Sequence, residues 1–133
     1  QKERDKMVTA CTQCHSATFA RGELAKGDTM IRDADHVMAG SIRTVAALYK
    51  DGIIPKPTTY SYAFPDLLTF NHAPTLIEQD LFDMFLEHRM RTFQGAFHMN
   101  PDYTFWYGWS SLQHDSTEIN DLAARMRGEA KTK

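Results

Sequence analysis

Apolar residues recur three or four positions apart through Ile31, Ala34, Met38, Ile42, Val45 and Leu48, the spacing of one face of an amphipathic helix. That helix is expected to stop at Lys50-Asp51-Gly52, with Gly52 in the C′ position where a left-handed backbone closes a helix. A second stretch keeps Leu76, Leu81, Phe85 and Met90 near helical spacing, and Thr75 with Glu78 just after Pro74 supplies a capping box at its start. Residues 1 to about 19 read as a further helix, with Gly22 and Gly27 marking the turn after it and Asp28 or Thr29 capping the next element. A last helix is expected from about Ser110 or Ser116 to Arg127, ending at Gly128. No segment alternates as a strand. The fold class this predicts is all-α, one helical domain over residues 1–133.

Two stretches interrupt the helical pattern. Residues 53–74 carry prolines at 55, 57, 65 and 74 and are far longer than an ordinary connection, whose median is about 4 to 6 residues. A Pro-rich loop of this kind is expected to wrap over a partner surface or pack around a cofactor. The stretch "NPDYTFWYGW" breaks the second long helix and gathers Tyr103, Phe105, Trp106, Tyr107 and Trp109, which suit a core plug, a haem edge or a subunit contact.

The chemistry begins with "ACTQCHS", which holds both cysteines of the chain, Cys11 and Cys14, with His15 directly behind. A thiol redox couple is expected at the end of a strand in a βαβ unit, and the flanks here read as helix and turn. A zinc site needs further Cys or His ligands at short spacing, whereas the next histidine is His36. Covalent attachment of c-type haem uses all three residues. Two thioethers at i and i+3 share one side of a helical turn, and the imidazole at i+4 is placed to bind the iron. His15 is therefore expected to be the proximal iron ligand.

The second axial position decides between an electron carrier and a reactive haem. Candidates are His36, His72, His88, His98 and His114, with the methionines behind them. His98 stands out because it sits where helix and aromatic stretch meet, and His36 is its rival, on a helix that packs near the haem helix if the turn between them is short. Arg89 and Arg91 have the planar donor forks that match haem propionates.

Charge and composition narrow the partners. With 15 basic against 17 acidic residues and a net charge of −2, the chain lacks the electrostatic footprint of a nucleic-acid binder. No apolar run approaches the roughly 20 residues of a membrane span, and "QKERDKMVTACTQCH" contains no apolar export core. Since c-type haem is attached outside the cytoplasm, an extracytoplasmic location is expected, with this chain the C-terminal part of something longer.

Taken together, "ACTQCHS" with the following "FAR", then "LYKDG", then "HMNPDYTFWYGW" trailed by "EINDL", resemble the C-terminal part of the hydroxylamine oxidoreductase family of octahaem c-type cytochromes. The resemblance implies that Cys11, Cys14 and His15 match the final attachment site, with the other motifs upstream of Gln1. It also implies an extracytoplasmic multihaem oxidoreductase, trimeric or larger, that oxidises hydroxylamine or hydrazine or, in some branches, reduces nitrite or nitric oxide. Redox-partner cytochromes and neighbouring subunits are the implied protein partners. Oxidative members join a tyrosine of the aromatic stretch to the catalytic haem of the neighbouring subunit. The Thr-aromatic and Gly-Trp landmarks place Phe105 at that position, and phenylalanine cannot make the bond. Tyr103 or Tyr107 takes the role if the stretch is shifted by one or two residues; otherwise the reductive branch, which lacks the cross-link, is implied. Two rival readings remain: an electron-transfer cytochrome with no substrate of its own, and an assembly role in which the aromatic stretch and tail grip a neighbouring subunit.

Overall fold

A computed structural model describes residues 2–69 and 73–132. Helix α1 spans Lys2–Cys11 and α2 spans Ala17–Lys50. Helix α3, Leu76–Asp83, runs through a π-helical turn, Met84–Arg89, into α4, Met90–Phe97. A second π-helical turn, Tyr103–Trp109, continues into α5, Ser110–Lys131. The described residues thus form four rods and no strand, which is the all-α class expected.

Ser16 shapes the first third of the chain. Its hydroxyl accepts the Phe19 N–H at 3.1 Å, capping α2 only five residues after α1 has ended. From there α2 runs unbroken through Gly22 and Gly27, so the turn expected at those glycines is absent and the first helix stops at Cys11 rather than near Phe19. Asp28 caps nothing; its carboxylate takes a two-pronged ion pair from Arg4 at 2.7 and 2.8 Å, tying α1 to α2. Thr29 bonds back to the Ala25 carbonyl within the helix. At the other end the expected stop holds: Asp51 is the C-cap and Gly52 takes φ +68°.

The main core gathers Val45 and Leu48 of α2, Ile77 and Leu81 of α3, Met84 of the first π turn, and Leu112 and Ile119 of α5, all fully buried. Glu78 is fully buried among them. It closes the capping box by accepting the Thr75 N–H at 3.1 Å and also accepts the Tyr49 hydroxyl, so the end of α2 is latched to the start of α3. Burial and the Glu78 carboxylate both push the Tyr49 phenol above its ordinary pKa, keeping it a donor. The Pro-rich segment lies on this same core through Ile54, Tyr60, Pro65 and Ala73. Its described residues do not line the cavity beside Cys11 and His15, and Tyr62, Phe64 and Leu68 remain exposed on its outer side.

The tightest contact joins α4 to the second π turn. A Cβ on Gly95 would stand 2.5 to 2.7 Å from Thr104 Oγ1, N and Cα, and one on Gly108 would meet Thr92 Oγ1 at 2.5 Å and its Cα at 2.6 Å. Glycine and threonine alternate across an antiparallel pair, so backbone lies against backbone. The aromatic stretch is therefore helix and not the break expected. The break is confined to His98–Asn100, where Met99 takes φ +54° and the Asn100 N–H bonds the Gly95 carbonyl at 2.9 Å while that of Met99 bonds Ala96 at 3.3 Å, a Schellman closure. Asn100 Oδ1 then accepts the Tyr103 N–H at 3.0 Å, and Pro101 stands at the first helical position. The last helix runs through Gly128 to Lys131, one turn beyond the expected stop.

Gly95→Ala or Gly108→Ala should each lower the unfolding midpoint by an amount corresponding to about 1–3 kcal/mol or more, since the new methyl meets backbone that cannot give way. Gly128→Ala, in open space within α5, should raise it by about 0.5–1 kcal/mol. Urea unfolding followed by circular dichroism reads all three.

Candidate haem site

The attachment motif folds as one helical turn added to α1. The Thr12 N–H bonds the Val8 carbonyl at 2.9 Å, and the Cys14 and His15 N–H groups both bond the Cys11 carbonyl, at 3.2 and 3.0 Å. Ser16 then starts α2, so His15 sits at the junction with its ring 5.0 Å from that of Phe19. Both thiols are exposed and unbridged. Behind the motif, Val8 of α1 packs on Ala20 and Leu24 of α2 in a small cluster separate from the main core.

A cavity of about 880 Å³ opens beside this junction, inside the roughly 300–1,000 Å³ range of cofactor sites. Cys11, His15 and Phe19 form one wall, Gly22, Gly27 and Met30 of α2 the floor, and Met99, Asn100, Thr104 and Phe105 the far wall. The lining is largely apolar. Gly27 is required by the floor, since a Cβ there would stand 3.1 Å from the Ala96 carbonyl and 3.4 Å from Met99 Cε. Cys11 and His15 line the cavity while Cys14 is exposed outside its lining; donor set, size and apolar lining fit a porphyrin that this motif would hold, with His15 as the nitrogen donor. Such a group, when bound, supplies a one-electron ferric/ferrous couple.

The other expected residues are dispersed. His36 is exposed in the middle of α2 and His98 is exposed at the C-cap of α4; neither is on the cavity wall. His72 lies outside the described residues. His114 is exposed on α5. Arg89 pairs with Asp35 at 2.6 Å and Arg91 with Glu87, so both guanidinium groups expected to meet propionates are engaged within the protein. Of the three aromatic candidates Phe105 alone lines the cavity; Tyr103 and Tyr107 stack on each other at 5.5 Å away from it. Trp106, 75% exposed, and Tyr107 lie on the outer face, which rules out a core plug for this part of the stretch.

Sequence reading missed the partner of His88. Its Nδ1 lies 2.5 Å from Asp115 Oδ2 across the first π turn and α5, with both side chains largely buried. Nearby on α3, Asp80 has a buried, unpartnered Oδ2. Burial first, then the carboxylates of Glu118, Asp115 and Asp83, raise the Asp80 pKa above its ordinary 3.8. Helix positions 88 and 115 carry no local signal of meeting; only the packing of the two rods brings them together.

Residues 1–61 match the family model described as "Seven times multi-haem cytochrome CxxCH". The attachment motif thus lies in a stretch similar to multihaem c-type cytochromes, and covalently bound haem c is its cofactor. A "Probable nitrite reductase-hydroxylamine oxidoreductase fusion protein" of Kuenenia stuttgartiensis is 22% identical over 167 residues, covering 96% of this chain and 20% of that protein. A solved chain of the Kuenenia stuttgartiensis "reducing HAO-like protein complex" superposes with a TM-score of 0.82 at 19% identity, over 94% of this chain and 33% of that one. The resemblance carried by the motifs at both ends of the sequence is met by these relatives. The chain spans about a fifth of the length of the curated relative and a third of the solved one.

Asp80→Asn should stabilise the fold at neutral pH. A carboxyl whose folded pKa is raised opposes folding once ionised, so the wild type is at its least handicapped below about pH 3.8 and loses stability as pH rises through the higher folded value. The advantage of the variant should therefore shrink on acidification, read as unfolding midpoints across a pH series.

Proposed function

We propose that these residues form an electron-conducting haem segment of a hydroxylamine-oxidoreductase-like multihaem oxidoreductase acting on small nitrogen compounds. The observation that carries this reading is the cavity that has Cys11 and His15 on one wall and Phe105 with the Met99–Asn100 turn on the other, which joins the two stretches of sequence that carry the resemblance. Cys11 and Cys14 hold the porphyrin edge as thioethers, and His15 is the proximal iron ligand. Phe19 supports the His15 ring by stacking. The exposed His98 and His36 are held in reserve as ligands toward haems outside the cavity at Cys11 and His15.

Reduction is favoured over oxidation, with nitrite or nitric oxide as the substrate class and hydroxylamine or hydrazine oxidation as the second reading. Phe105 has no hydroxyl with which to join a haem, and the solved relative is named as a reducing complex. Partners under this reading are neighbouring subunits in a trimer or larger assembly and a cytochrome that exchanges electrons with it. Its place is the periplasm or an equivalent compartment; among the described residues no helix is long and apolar enough to cross a membrane.

The test is an intact mass of the denatured native protein with a pyridine haemochrome spectrum. About eight haems on a chain several times heavier than 15.2 kDa is the expected result, with Cys11→Ala and Cys14→Ala each leaving one haem attached by a single thioether. A single haem on a small chain overturns the enzyme in favour of a simple carrier. Subunits found covalently joined place a cross-link at Tyr103 or Tyr107 and reverse the direction proposed.

A further inference from the structure

We infer that Arg32 binds a propionate of the haem held at Cys11, Cys14 and His15, with Thr29 keeping its guanidinium at the rim of the cavity. The inference deepens the haem reading above and rests on it, whatever number of further haems the whole protein holds.

The two halves of a c-type haem are chemically unlike. Thioethers form on the half that bore the vinyl groups, and the two propionates stand on the other. In this chain α1 runs back along α2: Val8 packs on Ala20 and Leu24, while Arg4, further from the motif, pairs with Asp28. The attachment motif therefore lies by the first turns of α2, and a ring fixed there directs its propionates toward later turns. The α2 side of the cavity follows a stripe through Phe19, Gly22, Lys26, Met30 and Asp33, with Thr29 beside it, a repeat of three or four residues that keeps one helix face in view. From Phe19 to Thr29 that face advances about 15 Å.

Carboxylates brought against an apolar lining need charged or hydrogen-bonding partners. The expected ones, Arg89 and Arg91, are engaged by Asp35 and Glu87. On the wall itself, Lys26 is already paired with Glu23 at 2.7 Å, and Asp33 adds a negative charge. The wall residues between 95 and 105 carry no charge. A cation is missing from this end of the cavity, and Arg32 supplies it.

The Arg32 Nη2 donates to Thr29 Oγ1 at 2.9 Å, and that hydroxyl donates in turn to the Ala25 carbonyl at 3.1 Å. A residue of the wall thus anchors the guanidinium. Arg4, Arg21 and Arg89 each engage a carboxylate, whereas Arg32 joins no ion pair among the described residues. Guanidinium carries five N–H donors in a rigid fork, so one bond to a hydroxyl leaves most of the fork open. Such a fork matches a carboxylate with two parallel hydrogen bonds. Thr29 is a positioning residue in this scheme, acting through the arginine it holds.

The experiment uses the full-length, haem-loaded protein. Mass spectrometry of the peptide bearing Cys11 and Cys14 comes first, because a peptide without haem removes the haem reading itself and the inference with it. Resonance Raman spectra of the propionate-bending region and a spectroelectrochemical redox titration are then compared across variants. Arg32→Gln should keep the haem attached, shift the propionate band of one haem and lower the midpoint potential of that haem, since a cation beside the ring favours the reduced state. Arg32→Lys should return the potential toward the wild-type value but leave the band shifted, because an ammonium keeps the charge and lacks the fork. Thr29→Val should shift the same band by less. Arg43→Gln, exposed on α2 away from the cavity wall, should change neither. An unchanged band and potential in Arg32→Gln overturn the inference, and a shift in Lys26→Gln in its place would give the propionate to Lys26. If Arg32→Gln does not accumulate with haem, Arg32→Lys decides through the band, and an unshifted band overturns the inference.

Discussion

The contact between α4 and the second π turn sets the shape of the molecule's working end. Two glycine–threonine pairs, Gly95 with Thr104 and Thr92 with Gly108, let two backbones touch where ordinary side chains would hold them apart. Helices pack at about 8–10 Å between axes when side chains intervene; here each glycine removes the obstacle the opposite threonine would meet. The widened π turn lets Thr104 and Gly108 share one face. Because that face is filled by backbone, the large rings of the stretch must leave it, and Phe105 turns to the cavity while Trp106 and Tyr107 turn outward. The same approach draws the Met99–Asn100 turn over Gly27. The far wall of the haem cavity is thus a by-product of small residues placed elsewhere.

What the sequence disclosed follows the range of each interaction. The face of α2 from Ile31 to Leu48, the stop at Gly52 and the capping box at Thr75 are all local, and all three stand as read. Gly22 and Gly27 misled because glycine weakens a helix by about 1 kcal/mol in isolation, while the floor of the cavity needs Gly27 for room. The aromatic stretch misled because nothing local separates a π turn from a loop rich in rings. In retrospect the spacing Thr92–Gly95 against Thr104–Gly108 was a signal of close helix approach. The Pro-rich segment was rightly seen as long and irregular, but where it lies is decided by Ile54, Tyr60 and Pro65 finding the main core.

The site was legible to the same degree. Cys11, Cys14 and His15 form a local pattern, and the cavity beside Cys11 and His15 agrees with the chemistry that pattern suggests. The distal candidates were chosen by position along the chain, and position says little about direction: His36 and His98 face outward. His88 gained its importance only through Asp115, 27 residues away, and Arg89 was spoken for by Asp35 on a third element.

The division of the interior into two apolar clusters has a consequence for how such a protein is made. Val8, Ala20 and Leu24 secure α1, whereas the latch at Glu78 and the bundle around Leu48 and Leu81 stand without it. Swinging α1 aside would expose only a few apolar side chains and break two part-exposed ion pairs, Arg4–Asp28 and Arg21–Asp5, a small opening free energy beside that of the whole fold. The thiols can therefore be offered to an attaching enzyme by a segment that is already folded, and the incoming porphyrin, by covering Met7, Ala20 and Leu24 where they line the cavity, would then lock the door behind it.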